Sequence, residues 1–392
     1  MYFGNSNGIV EYDGRNWNFI QVLNGRCVFS LATDNTNILY AGTQGNFGYF
    51  AKSRTGKLKY ISLSDSLLPP EKRLFTAVWR IFVKEDEIYF QTEEAIFIYN
   101  KKTISVIKPE KSFHLAMQVN GDIYARERGV GLIKIERNQK KIINASPIAS
   151  SYGLFGLLND NQDKERQILI TQELGLFWLY KNGTIEEIPG QDKKILIDSK
   201  ILGGVKLPGN RFALNTELNG TIIIDHHGKI IHFLNSEINI QNNTVIAQYL
   251  DKIGNLWLCL NKGITKVALH SPLQFFGPSD GLSGNIYGST IYGNSIYVAS
   301  SDGLFSKKNA KAKFSAVKEI PFSRRQVMNY ENQLLIASEG GLFLLDGQKV
   351  KKIIDGSFNA LRYSESDRKI IAATKHDIFI LNQNTKIGRA HV

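Results

Sequence analysis

Residues 334–347 read LLIASEGGLFLLDG, and the same order of parts occurs at 1–14 (MYFGNSNGIVEYDG), 168–183 (ILITQELGLFWLYKNG), 255–267 (NLWLCLNKGITKV) and 295–305 (SIYVASSDGLF). In each copy an apolar or aromatic run meets a small or polar residue, then a glycine, then a second apolar run. The interval is constant: Gly8, Gly175, Gly263, Gly303 and Gly341 each lie six residues after the anchors Tyr2, Leu169, Trp257, Tyr297 and Leu335. Looser copies have anchors at Tyr40, Tyr89, Tyr124, Phe212 and Ile371.

Ten anchors between positions 2 and 371 give a period of about 41 residues, the length of one four-stranded propeller blade. The turn chemistry agrees. Asp13-Gly14, Asn182-Gly183, His227-Gly228 and Asp346-Gly347 stand between apolar runs, and such dipeptides tolerate the positive φ of tight hairpins. Another short apolar run precedes each anchor, as in 27–31, 77–81 and 245–249. It supplies a fourth strand, expected innermost around the channel, with starts near 27, 77, 115, 153, 201 and 245. Helical periodicity is absent. A solenoid is the competing repeat architecture, but its turns are shorter and lack paired hairpin dipeptides. The fold class is therefore all-β: a seven-bladed propeller followed by the first blades of a second, truncated one.

Composition supports a packed β fold. The 392 residues include 43% hydrophobic and 21% charged residues, with 16 Tyr, 22 Phe, 34 Gly and 9 Pro; aromatic and β-branched residues favour strands. The net charge of +12 raises the question of an acidic partner. Its lysines are scattered singly or in short pairs such as Lys140-Lys141 with no long basic run, and no recognition helix, zinc finger or RNA-binding signature accompanies them, so nucleic acid is not expected as a partner. An acidic glycan stays open. Two cysteines, Cys27 and Cys259, have no metal-ligand spacing. No apolar run is long enough to span a bilayer, and no signal peptide opens the chain.

The stretch 244–267 is the most specific. It resembles the two-component regulator propeller repeat, D-x-x-G-N-[LI]-W-x-x-x-x-x-G-[LI], with Asp251, Gly254, Asn255, Trp257, Gly263 and Ile264 in the matching positions. The opening segment 1–17 is similar to the first blade of Bacteroidetes sensors of that family. The resemblance covers nearly the whole chain. It implies two propellers in tandem, then a β-sandwich, a transmembrane helix and a cytoplasmic histidine kinase or helix-turn-helix output. It further implies a periplasmic location, with signal peptide and membrane span outside this stretch, and leaves room for a homodimer.

Seven anchors precede Ser271-Pro272, and proline disfavours continuing a central strand. The first propeller is therefore expected over 1–270, its first blade incomplete at the N-terminus, and about three blades of a second over 271–386. Three blades cannot close a ring and leave sheet edges open. Residues 387–392 read as a non-native sequencing-adapter tail.

No catalytic constellation is legible, so the chain reads as a binding module and not an enzyme, with no cofactor and no metal. His226-His227 falls in a hairpin turn, where it orders a turn more readily than it ligates a metal. The D-x-x-G-N-L-W pattern lacks the Ser and Thr of sialidase boxes. A propeller lyase or glycosidase would need paired carboxylates at the channel mouth, and the expected entry positions show none. Aligned on their anchors, Arg26, Phe75, His114, Tyr152, Lys200 and Asn243 occupy equivalent entries to the innermost strands, with Trp79 and Arg80 slightly later. Each taken alone fits blade packing or a solvated turn. As a ring, such aromatic, cationic and amide groups suit an oligosaccharide or other small molecule. The function expected is ligand sensing outside the cytoplasm, passed to a downstream membrane-linked signalling module. A scaffold for protein partners is the alternative.

Overall fold

The computed structural model describes the chain except residues 24, 54–55, 161, 239, 272–275, 310–311, 318–319, 321–323, 331–332, 347–348, 382–386 and 391–392. Two positions singled out in the sequence, the Pro272 junction and the glycine of the Asp346-Gly347 turn, lie outside the described residues. The chain divides into two compact units, Met1–Ser271 and Pro272–Val392.

The first unit is seven antiparallel sheets in chain order, each an up-and-down meander. Five have four strands. The first (Tyr2–Asn5, Gly8–Tyr12, Trp17–Gln21) and the seventh (Val245–Leu250, Asn255–Leu260, Ile264–Ala268) have three among the described residues. The innermost strands are Val28–Thr33, Arg80–Lys84, Phe113–Val119, Leu154–Asn159, Ile201–Leu207 and Val245–Leu250. Each begins within three residues of its expected start.

The core lies between neighbouring sheets. Tyr40 and Phe47 of the second sheet pack with Ile81, Phe90 and Phe97 of the third, the Phe47 and Phe90 rings stacked at 4.3 Å. Ile168, Ile170 and Trp178 of the fifth pack with Phe212, Leu214 and Ile222 of the sixth. Middle strands are thus covered on both faces, which is why they read as continuous apolar runs rather than as an alternation. The first sheet meets the seventh through Trp257, whose ring lies 5.7 Å from Phe3 and 5.8 Å from Tyr12. The seven sheets close on one another.

A threonine at the first turn of four blades has a structural task. Thr43, Thr92, Thr171 and Thr216 are buried, and their hydroxyls donate across the turn to the carbonyls of Asn46, Ala95, Gly175 and Gly220 at 2.7–3.0 Å. Thr92, Thr171 and Thr216 also accept backbone N–H groups of their own turns. Buried turn groups need such partners. Two signature glycines are required by geometry: Gly254 has φ +86° and a Cβ there would meet the His270 ring at 2.6 Å, while Gly263 has φ +97° and faces Gln241 Oε1. His226-His227 sits in a hairpin turn in which Asp225 accepts the His227 N–H at 2.9 Å. Among the described residues of this unit, short α-helices lie in connections, at Leu63–Leu67, Pro147–Ser151 and Lys193–Asp198.

The second unit has three four-stranded sheets, with innermost strands Ile286–Tyr292, Arg324–Tyr330 and Phe358–Ser364. Within the segment the sequence sets aside as a tail, Ile387–Ala390 pairs antiparallel with Ile378–Leu381.

Candidate ligand site in the channel of the first unit

Five innermost strands carry a register shift at their start, between Val28 and Ser30, Phe113 and Ala116, Leu154 and Gly156, Ile201 and Gly203, and Val245 and Ala247. A bulge leaves residues unpaired and re-aims their side chains. The residues skipped include Phe29, His114, Phe155, Leu202 and Ile246. In the third sheet, which has no shift, Trp79 occupies the corresponding place and donates its N–H to Gln91 O at 2.9 Å.

Side chains of neighbouring strands take up the backbone groups that the bulges release. Gln91 Nε2 donates to His114 O at 3.1 Å, and Gln91 Oε1 accepts the Ala116 N–H at 3.3 Å. Asn215 Nδ2 donates to Val245 O and Ile246 O, both at 3.1 Å. Gln172 Nε2 reaches Ile201 O at 3.3 Å, and Ser30 Oγ reaches Val78 O at 2.6 Å. Unpaired carbonyls at a channel mouth would otherwise splay the blades, so these bonds hold the mouth's shape.

These six innermost strands, with Asn215 of a neighbouring strand, line an open cavity of about 360 Å³. Its wall includes Phe29, Trp79, Phe155 and Ile246, with Arg80 beside Trp79. The Phe29 and Trp79 rings lie 5.1 Å apart, and Phe29 and Ile246 keep 37% and 54% of their surface open although both are apolar. Arg80 donates through Nη1 to Trp79 O at 3.0 Å. Desolvation by the channel wall lowers its pKa from the ordinary arginine value, yet a guanidinium stays charged at physiological pH.

Of the eight residues named from the sequence, Trp79 and Arg80 line this cavity and six do not. Phe75 is a core residue, its ring 5.6 Å from Phe47 and 5.0 Å from Phe97. Arg26 is exposed and donates to Gln44 O at 3.0 Å. Asn243 Oδ1 accepts the Ser236 N–H at 2.7 Å. Lys200, at φ +53°, faces Glu217 at 3.8 Å, and Tyr152 is exposed. His114 is partly buried, with Nδ1 3.2 Å from Leu154 O and its ring 5.0 Å from Phe155. Desolvation, aided by Arg126 and Arg128, lowers its pKa to about 4, so it is neutral at pH 7. The reason for the shift in position is local: residues preceding a strand serve the connection, and the bulge turns later ones into the channel. The sequence signal for Phe29, Phe155 and Ile246 was an apolar residue second in each inner run, which reads equally as strand core.

The signature residues at 251–263 lie away from the cavity and organise a turn. Asp251 accepts from the backbone N–H of Ile253 and Asn255 at 3.1 and 2.8 Å and from Asn255 Nδ2 at 2.9 Å. Among the described residues no group of three or more His, Cys, Asp or Glu side chains is placed to hold a metal, and no helix is long and apolar enough to cross a membrane.

A closed set of consecutive three- and four-stranded meanders around a lined channel has one name. The fold is a β-propeller. No protein-family model and no curated protein sequence matches the chain. Among solved structures, it is similar to the extracellular domain described for the hybrid two-component system BT3049 of B. thetaiotaomicron. The TM-score is 0.68 at 16% identity, covering 100% of this chain and 56% of that one. The extracellular domain of BT4673 from the same organism, described in one structure as a one-component and in another as a hybrid two-component system, gives TM-score 0.54. Identity is 16% and 15%, over 98% of this chain and 56% of that one. The WD40 propeller of Doa1 gives 0.51 at 10% identity, over 69% and 89%. The chain thus spans a little over half the length of these extracellular domains.

Proposed function

We propose that this chain is part of the ligand-sensing region, outside the cytoplasm, of a membrane-linked signalling receptor of the two-component regulator propeller type. The channel of its first unit holds a small molecule or glycan, and a downstream two-state element transmits binding. One observation carries the reading: an open polar–apolar cavity in which Trp79, Phe29 and Arg80 stand together on a hydrogen-bonded frame. Aromatic faces beside a few placed polar groups are what small-ligand sites require. The shared fold with extracellular domains of signalling systems supports the location and the class.

Titration calorimetry with neutral and acidic oligosaccharides tests it, comparing the wild-type chain with Trp79→Ala and Arg80→Ala. Equal affinity in all three removes both residues from recognition. A second reading, a scaffold for a protein partner, rests on the outer strand Trp17–Gln21, where Trp17 and Phe19 are 50% and 56% exposed.

A further inference from the structure

The lining of the channel narrows the ligand class, given the sensing role proposed above. Among the described residues that line the cavity, Arg80 alone carries charge; the others are aliphatic, aromatic, glycine, or neutral hydroxyl and amide groups. Its guanidinium donates to Trp79 O, and no carboxylate among the described residues pairs with it. Two other arginines of the same unit, neither of which lines the cavity, have more partners. Arg166 meets Asp160 at 2.9 Å and lies over the Trp178 ring, and Arg126 gives two bonds to the Ala149 and Ser150 carbonyls.

A half-buried cation with no carboxylate partner gains when an anion joins it, and attraction there exceeds that at an open surface. The planar fork of arginine fits a carboxylate through two parallel bonds. Beside it, Trp79 and Phe29 offer an apolar face on which a ring can lie. His114 stays neutral and adds no competing charge at the mouth.

We infer that the channel of the first unit takes a carboxylated ring compound, such as a sugar acid, whose ring packs on Trp79 and whose carboxylate pairs with Arg80. A neutral sugar satisfies the aromatic face and leaves the cation unanswered.

Titration calorimetry on the 392-residue chain with D-glucuronate, D-glucuronamide, D-glucose and inorganic sulfate tests this. Glucuronate is expected to bind roughly tenfold or more tightly than its neutral amide. Arg80→Gln removes that advantage, Arg80→Lys keeps part of it, and Trp79→Ala weakens acid and amide alike. Raising salt from about 50 to about 500 mM weakens glucuronate and leaves glucose unchanged. Equal binding of glucuronate and glucuronamide by the wild type, a comparison that needs no variant, overturns the inference. So does a folded Arg80→Gln protein that keeps the preference, or sulfate binding as tightly as glucuronate. If acid and neutral forms bind equally and Trp79→Ala abolishes both, the sensing role stands and the charge assignment fails. If no probe or oligosaccharide binds, both fall.

Discussion

Trp257 Nε1 donates a 2.9 Å hydrogen bond to Asp251 Oδ2, six residues earlier in the chain. The same spacing recurs in the first unit: the Tyr40 hydroxyl donates to Asp34 Oδ2 at 3.4 Å, and Arg166 Nε to Asp160 Oδ2 at 2.9 Å. An aspartate in the hairpin turn thereby holds the following strand, by its anchor at Tyr40 and Trp257 and by its first residue at Arg166. At the seventh sheet that anchor also carries the contact with the first sheet, through Phe3 and Tyr12.

Trp257→Ala is therefore expected to cost about 3–5 kcal/mol and to loosen the first sheet selectively. Hydrogen exchange read by mass spectrometry should show Tyr2–Asn5 and Gly8–Tyr12 losing protection before the sheets at the far side of the unit. Uniform loss would mean that Trp257 is ordinary core.

The Asp251 carboxyl has a pKa of about 2: desolvation opposes ionisation, but the bonds from Asn255, Trp257 and the turn backbone outweigh it. With an unfolded value near about 3.9, the folded value is the lower one. Its stabilisation is present above about pH 4 and is lost as pH falls toward 2. Acid unfolding of Asp251→Asn, compared with wild type, should be flatter in that window and lower in stability above it.

His114 works in a higher window. Its folded pKa of about 4, lowered by desolvation and by Arg126 and Arg128, lies below the unfolded value of about 6.5. Between the two the unfolded chain binds more protons, so stability falls as pH drops from about 6.5 to about 4. An NMR titration should give His114 a midpoint near 4, and His114→Gln should lessen the decline over that range.

Phe75→Ala and Trp79→Ala separate packing from recognition. Phe75, buried among Phe47 and Phe97, should cost about 3–5 kcal/mol in urea unfolding. Trp79 faces the cavity, so its removal should lower ligand affinity with a smaller change in stability. The reverse pattern would exchange their roles.

The turn hydroxyls give a further measurement. Thr171→Val and Thr216→Val keep side-chain volume but leave half-buried backbone groups unpaired, the N–H of Leu174 and of Asn219 among them. Each should cost about 1–3 kcal/mol in urea unfolding. A neutral result would assign the hold on these turns to the backbone alone.

The blades were legible because each is a local object. Hairpin dipeptides, apolar runs and the recurring glycine act over a few residues, so the period and the innermost strand starts emerge from chain order alone. Asp251 and Trp257 likewise stand close enough in sequence for their motif to be read, although its meaning as a clamp on the anchor needed the hydrogen bond to Nε1. The channel is another matter. It is lined by short runs from six innermost strands and by Asn215, spread over 29–248, and in five of those strands a bulge shifts which side chains face it. Phe75 and Trp79 are both aromatic and four residues apart. Only the packing of adjacent sheets put one into the core and the other into the cavity. What the sequence by itself determined was the repeating blade, because local turn chemistry and strand pattern suffice for it. The lining of the channel was decided by tertiary structure, because ring closure and bulge geometry bring distant side chains to one place.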